Sequence, residues 1–123
     1  MREFSKLVII LFLLLVFPGC SAAPRAFDFG TYSEAERHYE KGEYEKAIAK
    51  YEEYLREDPE GNLAVISTYY LAASHEGLGR AEEARRLYEK IIRGHPKLVW
   101  ADFAKARLEE LDSKARSPAP GTS

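Results

Sequence analysis

Three histidines, two serines in an apolar stretch and several adjacent carboxylates are the residues of this 123-residue chain whose types could support chemistry. His38 and His75 stand 37 residues apart, and on parallel helices one interhelical spacing apart they would be separated by about 10 Å. A shared zinc ion needs both ring nitrogens within about 2.1 Å of it, so packing or partly exposed roles are expected instead. His95 precedes Pro96 in a turn, where a capping or solvent-exposed role is expected. Ser67 and Ser74 have neither a Gly-x-Ser-x-Gly elbow nor a Ser-x-x-Lys pair around them, which removes two common routes to an activated serine. Glu52-Glu53, Glu82-Glu83 and Glu109-Glu110 are consecutive in helical segments, so their side chains diverge and share no site. Neither a phosphate-binding loop nor a dinucleotide fingerprint occurs. The chain reads as a non-enzyme, with no catalytic residue, no metal site and no cofactor.

The elements that carry these residues repeat. Gly42, Ala47, Tyr51 and Pro59 have counterparts 37 residues on at Gly79, Ala84, Tyr88 and Pro96, and a period of this size marks stacked supersecondary units. A first helix is expected from Thr31 or Ser33, each followed three residues later by a glutamate in a capping-box pattern, to Lys41. Residues 43–58 place Tyr44, Ala47, Ile48, Tyr51 and Leu55 on one face of a second helix, stopped by Pro59 and Gly61. Residues 63–76 are apolar on more than one face, as suits a helix packed between neighbours. A fourth helix over 81–93 turns Ala84, Leu87, Tyr88, Ile91 and Ile92 inward and pairs Glu82 with Arg86 and Glu89 with Arg93 outside. A fifth over 98–114 presents Trp100, Ala101, Phe103, Ala104, Leu108 and Leu111 on one side and caps the stack.

Residues 1–19 are of another kind. Arg2 and Lys6 precede an unbroken apolar run over 7–17, which as a helix rises about 16 Å against a hydrocarbon core about 30 Å thick. An export signal is the better reading. Val16-Phe17-Pro18-Gly19-Cys20 resembles a bacterial lipoprotein cleavage box, which would make Cys20, the only cysteine, the lipidated N-terminus after cleavage behind Gly19. Pro18 departs from the small or aliphatic residue usual in that box. The expected organisation is a lipoprotein signal peptide over 1–19, a lipidated tether over 20–28, a helical repeat domain over 29–114 and a disordered tail over 115–123. Ser21 after the cysteine resembles an outer-membrane sorting signal, which would place the domain in the periplasm of a two-membrane cell. The mature chain would carry 16 basic and 19 acidic side chains, and so lacks the basic surplus of a nucleic-acid binder.

The repeating residues resemble those of tetratricopeptide repeats. That family's small residue in the first helix falls on Ala35 and Ala72, its turn glycine on Gly42 and Gly79, its buried alanine on Ala47 and Ala84, its aromatic on Tyr51 and Tyr88, and its terminating proline on Pro59 and Pro96. The 37-residue spacing exceeds the usual 34, with Asn62-Leu63-Ala64 fitting as the insertion, and is similar to repeats of bacterial envelope lipoproteins of the BamD and YbgF type. Thr31 and His38 depart from aromatics common in the family. The resemblance implies an all-α, TPR-like α-solenoid of two helix-turn-helix repeats plus a C-terminal capping helix. It also implies an inner groove built from the first helix of each unit, which by register receives Tyr32, Glu36, Tyr39 and Glu40 and then Ile66, Tyr69, Ala73 and Glu76. Aromatics beside carboxylates suit a peptide or helix with apolar anchors and basic residues. The function expected on these grounds is a lipid-anchored envelope scaffold that binds another envelope protein or peptide segment. The alternatives are a self-associating structural module, made of the long apolar helix and the Trp100 face, and a pilotin-like escort of a secretion or pilus subunit.

Overall fold

Five helices occupy the stretch that the computed structural model describes, residues 30–117, with residue 3 described beside it: α1 (Thr31–Glu40), α2 (Tyr44–Glu57), α3 (Ala64–Gly77), α4 (Ala81–Gly94) and α5 (Val99–Arg116). The expected signal peptide apart from residue 3, the tether with Cys20, and residues 118–123 of the expected tail lie outside the described residues. The fold is the expected all-α solenoid: α1 with α2 and α3 with α4 form two helix-turn-helix units, and α5 covers the open side of the second.

The sequence repeat is reproduced in the backbone. α1 ends in a turn where Gly42 (φ 72°) donates its N–H to Tyr39 O and Glu43 donates to His38 O, both at 2.9 Å. α3 ends the same way, Gly79 (φ 75°) donating to Glu76 O and Arg80 to His75 O, again at 2.9 Å. This paired closure satisfies the last carbonyls of a helix and needs a residue in the left-handed region, which glycine enters without a Cβ penalty. Reversed there, each chain lays Ala35 against Ala47 or Ala72 against Ala84, all four fully buried, so that the two helix backbones of a unit approach closely.

α3 is the element around which the rest is arranged. It packs against all four other helices, and two consecutive residues look opposite ways: Leu71 belongs to a core with Tyr32, Ala35, Tyr51 and Tyr54, and Ala72 to a second core with Tyr88, Ile91, Ala101 and Leu111. The expectation of an all-round apolar helix between neighbours is met. Leu63, within the inserted segment, is the N-cap of α3 and packs on the first core.

Three local expectations fail. The capping box at Thr31 or Ser33 does not form, because Gly30 at φ 60° is the N-cap and both residues are already helical, where a side chain no longer faces the free N–H groups. Thr31 Oγ1 donates instead to Glu57 Oε2 at the far end of α2, 3.0 Å away. On α4, Glu82 meets Arg85 at 4.0 Å rather than Arg86, and Arg85 also pairs with Asp112 of α5 at 2.7 Å. α5 runs to Arg116, two residues past its expected end.

The two glycines near α4 separate backbone strain from helix propensity. A Cβ at Gly79 or at Gly94 would meet nothing within 4 Å, but only Gly79 has positive φ. Gly79→Ala is therefore expected to cost about 1 kcal/mol, and Gly94→Ala to stabilise by about 0.5 kcal/mol through a less flexible unfolded chain. Urea unfolding of the two variants checks the opposite signs.

Candidate binding groove

The five helices lie in two layers. α1 touches α3 and α3 touches α5, whereas the backbones of α2 and α4 do not meet. α1, α3 and α5 therefore form the inner layer, whose face is the candidate groove.

Along this layer runs a chain of ring contacts. Tyr39 of α1 meets Tyr70 of α3 edge-on with centroids 5.0 Å apart, Tyr70 meets Tyr69 at 5.5 Å, Tyr69 meets Trp100 of α5 at 5.1 Å, and Trp100 meets Phe103 at 5.5 Å. Such tilted and edge-on pairs are favourable beyond the area they bury. The line becomes more exposed toward α5, where Phe103 is 47% and Val99 55% accessible. Burial is the largest cause that pushes the Tyr39 and Tyr69 phenols above their ordinary range, so both are neutral near pH 7 and offer a ring face with a hydroxyl tip.

Of the residues expected in the groove, the structure gathers Glu36, Tyr39 and Glu40 around a small cavity with Tyr51 and Tyr70. Tyr69 joins the aromatic line. Ile66 is half-buried against the first core, and Ala73 is half-buried. Tyr32 is elsewhere: only 4% exposed, it packs edge-on against Tyr51 and Tyr54 and donates its hydroxyl to Glu36 Oε1 at 2.8 Å. Tyr70, Trp100 and Phe103 belong to the aromatic line, and the register missed them. For Trp100 and Phe103 the signal was α5 itself, which supplies Ala101 and Ala104 as buried small residues and so behaves as the first helix of a third unit.

Glu76 has a structural task. Its side chain is 9% exposed, and its carboxylate receives both Arg107 Nε at 3.2 Å and a second guanidinium nitrogen, together with the Tyr88 hydroxyl at 3.0 Å. Lys114 stands 4.0 Å away. One carboxylate on α3 thereby joins α4 and α5 to it. Arg107 also donates to Glu110 at 2.6 Å.

His38 Nδ1 lies 3.5 Å from Glu43. The counterpart of Glu43 in the second unit is Arg80, and His75 Nδ1 is buried without a hydrogen-bond partner among the described residues. Ser74 donates to Tyr70 O at 2.7 Å, and Ser67 is fully buried. His95 is exposed at the C-cap of α4. Among the described residues no three His, Cys, Asp or Glu side chains come together as a metal site, and no helix is long and apolar enough to cross a membrane. A larger recess of about 240 Å³ opens where α2 and α4 stop, between Leu55, Pro59, Thr68 and His95. Thr68 is already bonded to Ala64 O at 2.8 Å, and the other polar side chains of that recess, Glu60, Lys90 and His95, are exposed.

The family model of the tetratricopeptide repeat matches residues 67–97. That span begins in α3, contains the Gly79 turn and all of α4, and closes just beyond Pro96. No curated protein matches the chain. The matched segment is thus the second helical unit, and the first unit repeats its turn, its alanine pair and its buried tyrosine.

Removing one partner of the Glu76 cluster tests its weight. Arg107→Ala leaves a nearly buried carboxylate with one hydroxyl and a distant lysine, and is expected to destabilise the repeat domain by about 2 kcal/mol, below the range for a fully buried pair because Arg107 is one-third exposed. Combining Arg107→Met with Glu76→Gln is expected to recover most of that loss. Denaturant unfolding of the single and double variants measures both.

Proposed function

We propose that this protein is a lipid-anchored adaptor of the bacterial envelope, holding a segment of another protein in the groove formed by α1, α3 and α5 and doing no chemistry of its own. A tetratricopeptide repeat stacks to build an extended surface that binds other chains, and the match over residues 67–97 supports that role here. The observation that carries the proposal is the line of rings from Tyr39 to Phe103, which crosses three helices and opens to solvent at Phe103 and Val99. Aromatic side chains set in such a surface supply anchor sites for a partner's apolar residues. The apolar run over residues 7–17, followed by Gly19-Cys20, supports anchoring by acyl chains on Cys20, and two or more such chains hold a protein on a bilayer. A short tether would then raise the local concentration of whatever the groove holds.

Leu98, Val99 and Phe103 are exposed together at the end of the stack where no further helix follows among the described residues, and this favours self-association as the second reading. The mass of the purified protein in light scattering separates the two, a monomer supporting the adaptor and a dimer that Phe103→Glu dissociates supporting self-association.

Detergent co-purification of the full-length protein from its native membranes, beside Cys20→Ala and Phe103→Ala forms, tests the adaptor. The expected outcome is a wild-type protein whose mass includes lipid and which brings down an envelope protein. Cys20→Ala loses the lipid, and Phe103→Ala keeps the lipid but loses the partner. An unmodified Cys20 contradicts the anchor, and co-elution indifferent to Phe103 contradicts the groove.

A further inference from the structure

We propose that the cavity between α1, α2 and α3 is a receptor for one basic side chain, a lysine or an arginine, of the segment bound in the groove; this rests on the groove reading above and specifies one position of the partner. The cavity measures about 110 Å³ and is lined by Glu36, Tyr39, Glu40, Tyr51 and Tyr70. It has room for the end of a side chain, well below the roughly 300 Å³ from which small-molecule pockets begin.

Its walls are aromatic and its charge is negative. Tyr70 stacks on Tyr51 with centroids 6.2 Å apart and planes 14° from parallel, and Tyr39 stands edge-on to Tyr70. Glu36 and Glu40 are four residues apart on α1, one turn along the same face, and both reach the cavity. Glu36 is held in place by the hydroxyl of Tyr32. A cation among ring faces is attracted by their quadrupoles, and a carboxylate beside it adds a charge-assisted hydrogen bond. An anionic or purely apolar side chain would instead face two carboxylates at the same place.

A third observation is independent of the charge. Tyr51 is fully buried, yet its hydroxyl has no hydrogen-bond partner among the described residues. Buried phenols usually find one, and a donor arriving from a lysine or arginine head group beside it would supply one. Arg107, the cation that acts on Tyr39, is already held by Glu76 and Glu110, so no side chain of that cluster needs to fill the cavity.

The test uses a displayed library of random 12-residue peptides selected on the full chain in detergent, and in parallel on a Glu36→Gln/Glu40→Gln form, in which the amide introduced at position 36 still offers an oxygen to the Tyr32 hydroxyl. The selected peptides are expected to share one lysine or arginine at a fixed distance from their apolar residues. Replacing that residue by norleucine in a synthetic copy is expected to weaken binding about tenfold to the wild-type protein and to change binding to the double variant less than about twofold. Selected peptides with no common basic position, or a norleucine penalty equal on both proteins, would overturn the receptor while leaving the groove intact. If no selected peptide depends on Tyr69 or Phe103, the groove reading falls and this inference falls with it.

Discussion

The structure depends on one helix that packs against all four others. α3 is used by both cores at once, with Leu71 committed to one and Ala72 to the other. Neither helical pair encloses its own apolar surface: Tyr51 of the first unit stacks on Tyr70 of α3, and Tyr88 of the second shares its core with Ala101, Ala104 and Leu111 of α5. Burying a side chain of this size is worth about 2 kcal/mol or more, and here part of it comes from outside the pair, from α3 for Tyr51 and from α5 for Tyr88. The same sharing keeps the groove in register, because Tyr69 and Tyr70 sit on adjacent positions of α3 and link the α1 rings to the α5 rings.

The Glu76 cluster extends this logic to the last helix. α5 has no partner helix following it among the described residues, so its attachment rests on Ala101, Ala104 and Leu111 in the second core and on Arg107 reaching back to α3. A nearly buried carboxylate is costly without partners and strongly directional with them. Its three donors come from α4 and α5, so it fixes the position of those two helices against α3 and with them the open end of the aromatic line.

Most of the architecture was legible because each unit announces itself locally. A glycine placed where a closing turn requires positive φ, an alanine pair where two backbones must approach, and a proline past each second helix are demands that backbone geometry makes on residue type, and they recur at 37-residue intervals. The site was less legible. Tyr32 and Tyr39 lie seven residues apart on one helical face, and only the presence of Tyr54 and Tyr51 behind Tyr32 decides that it is core while Tyr39 borders a cavity. Glu76 read as a groove acid because nothing in its own segment marks it as buried; its partners are 12 and 31 residues away. The capping pattern at Thr31 misled for a similar reason, since Gly30 can start a helix by backbone freedom alone.

A groove built across three helices recognises a partner reproducibly only if those helices behave as one body, and this is the claim on which the functional reading stands. Native-state hydrogen exchange measures it most directly, by giving each amide the free energy of the opening that exposes it. The shared use of α3 predicts that the slowest amides of α2, α3 and α4 exchange with one common free energy, equal to that of global unfolding. Two distinct values, one for α1 with α2 and a lower one for α3 with α4 and α5, would contradict it and reduce the groove to a chance adjacency of independent helical pairs.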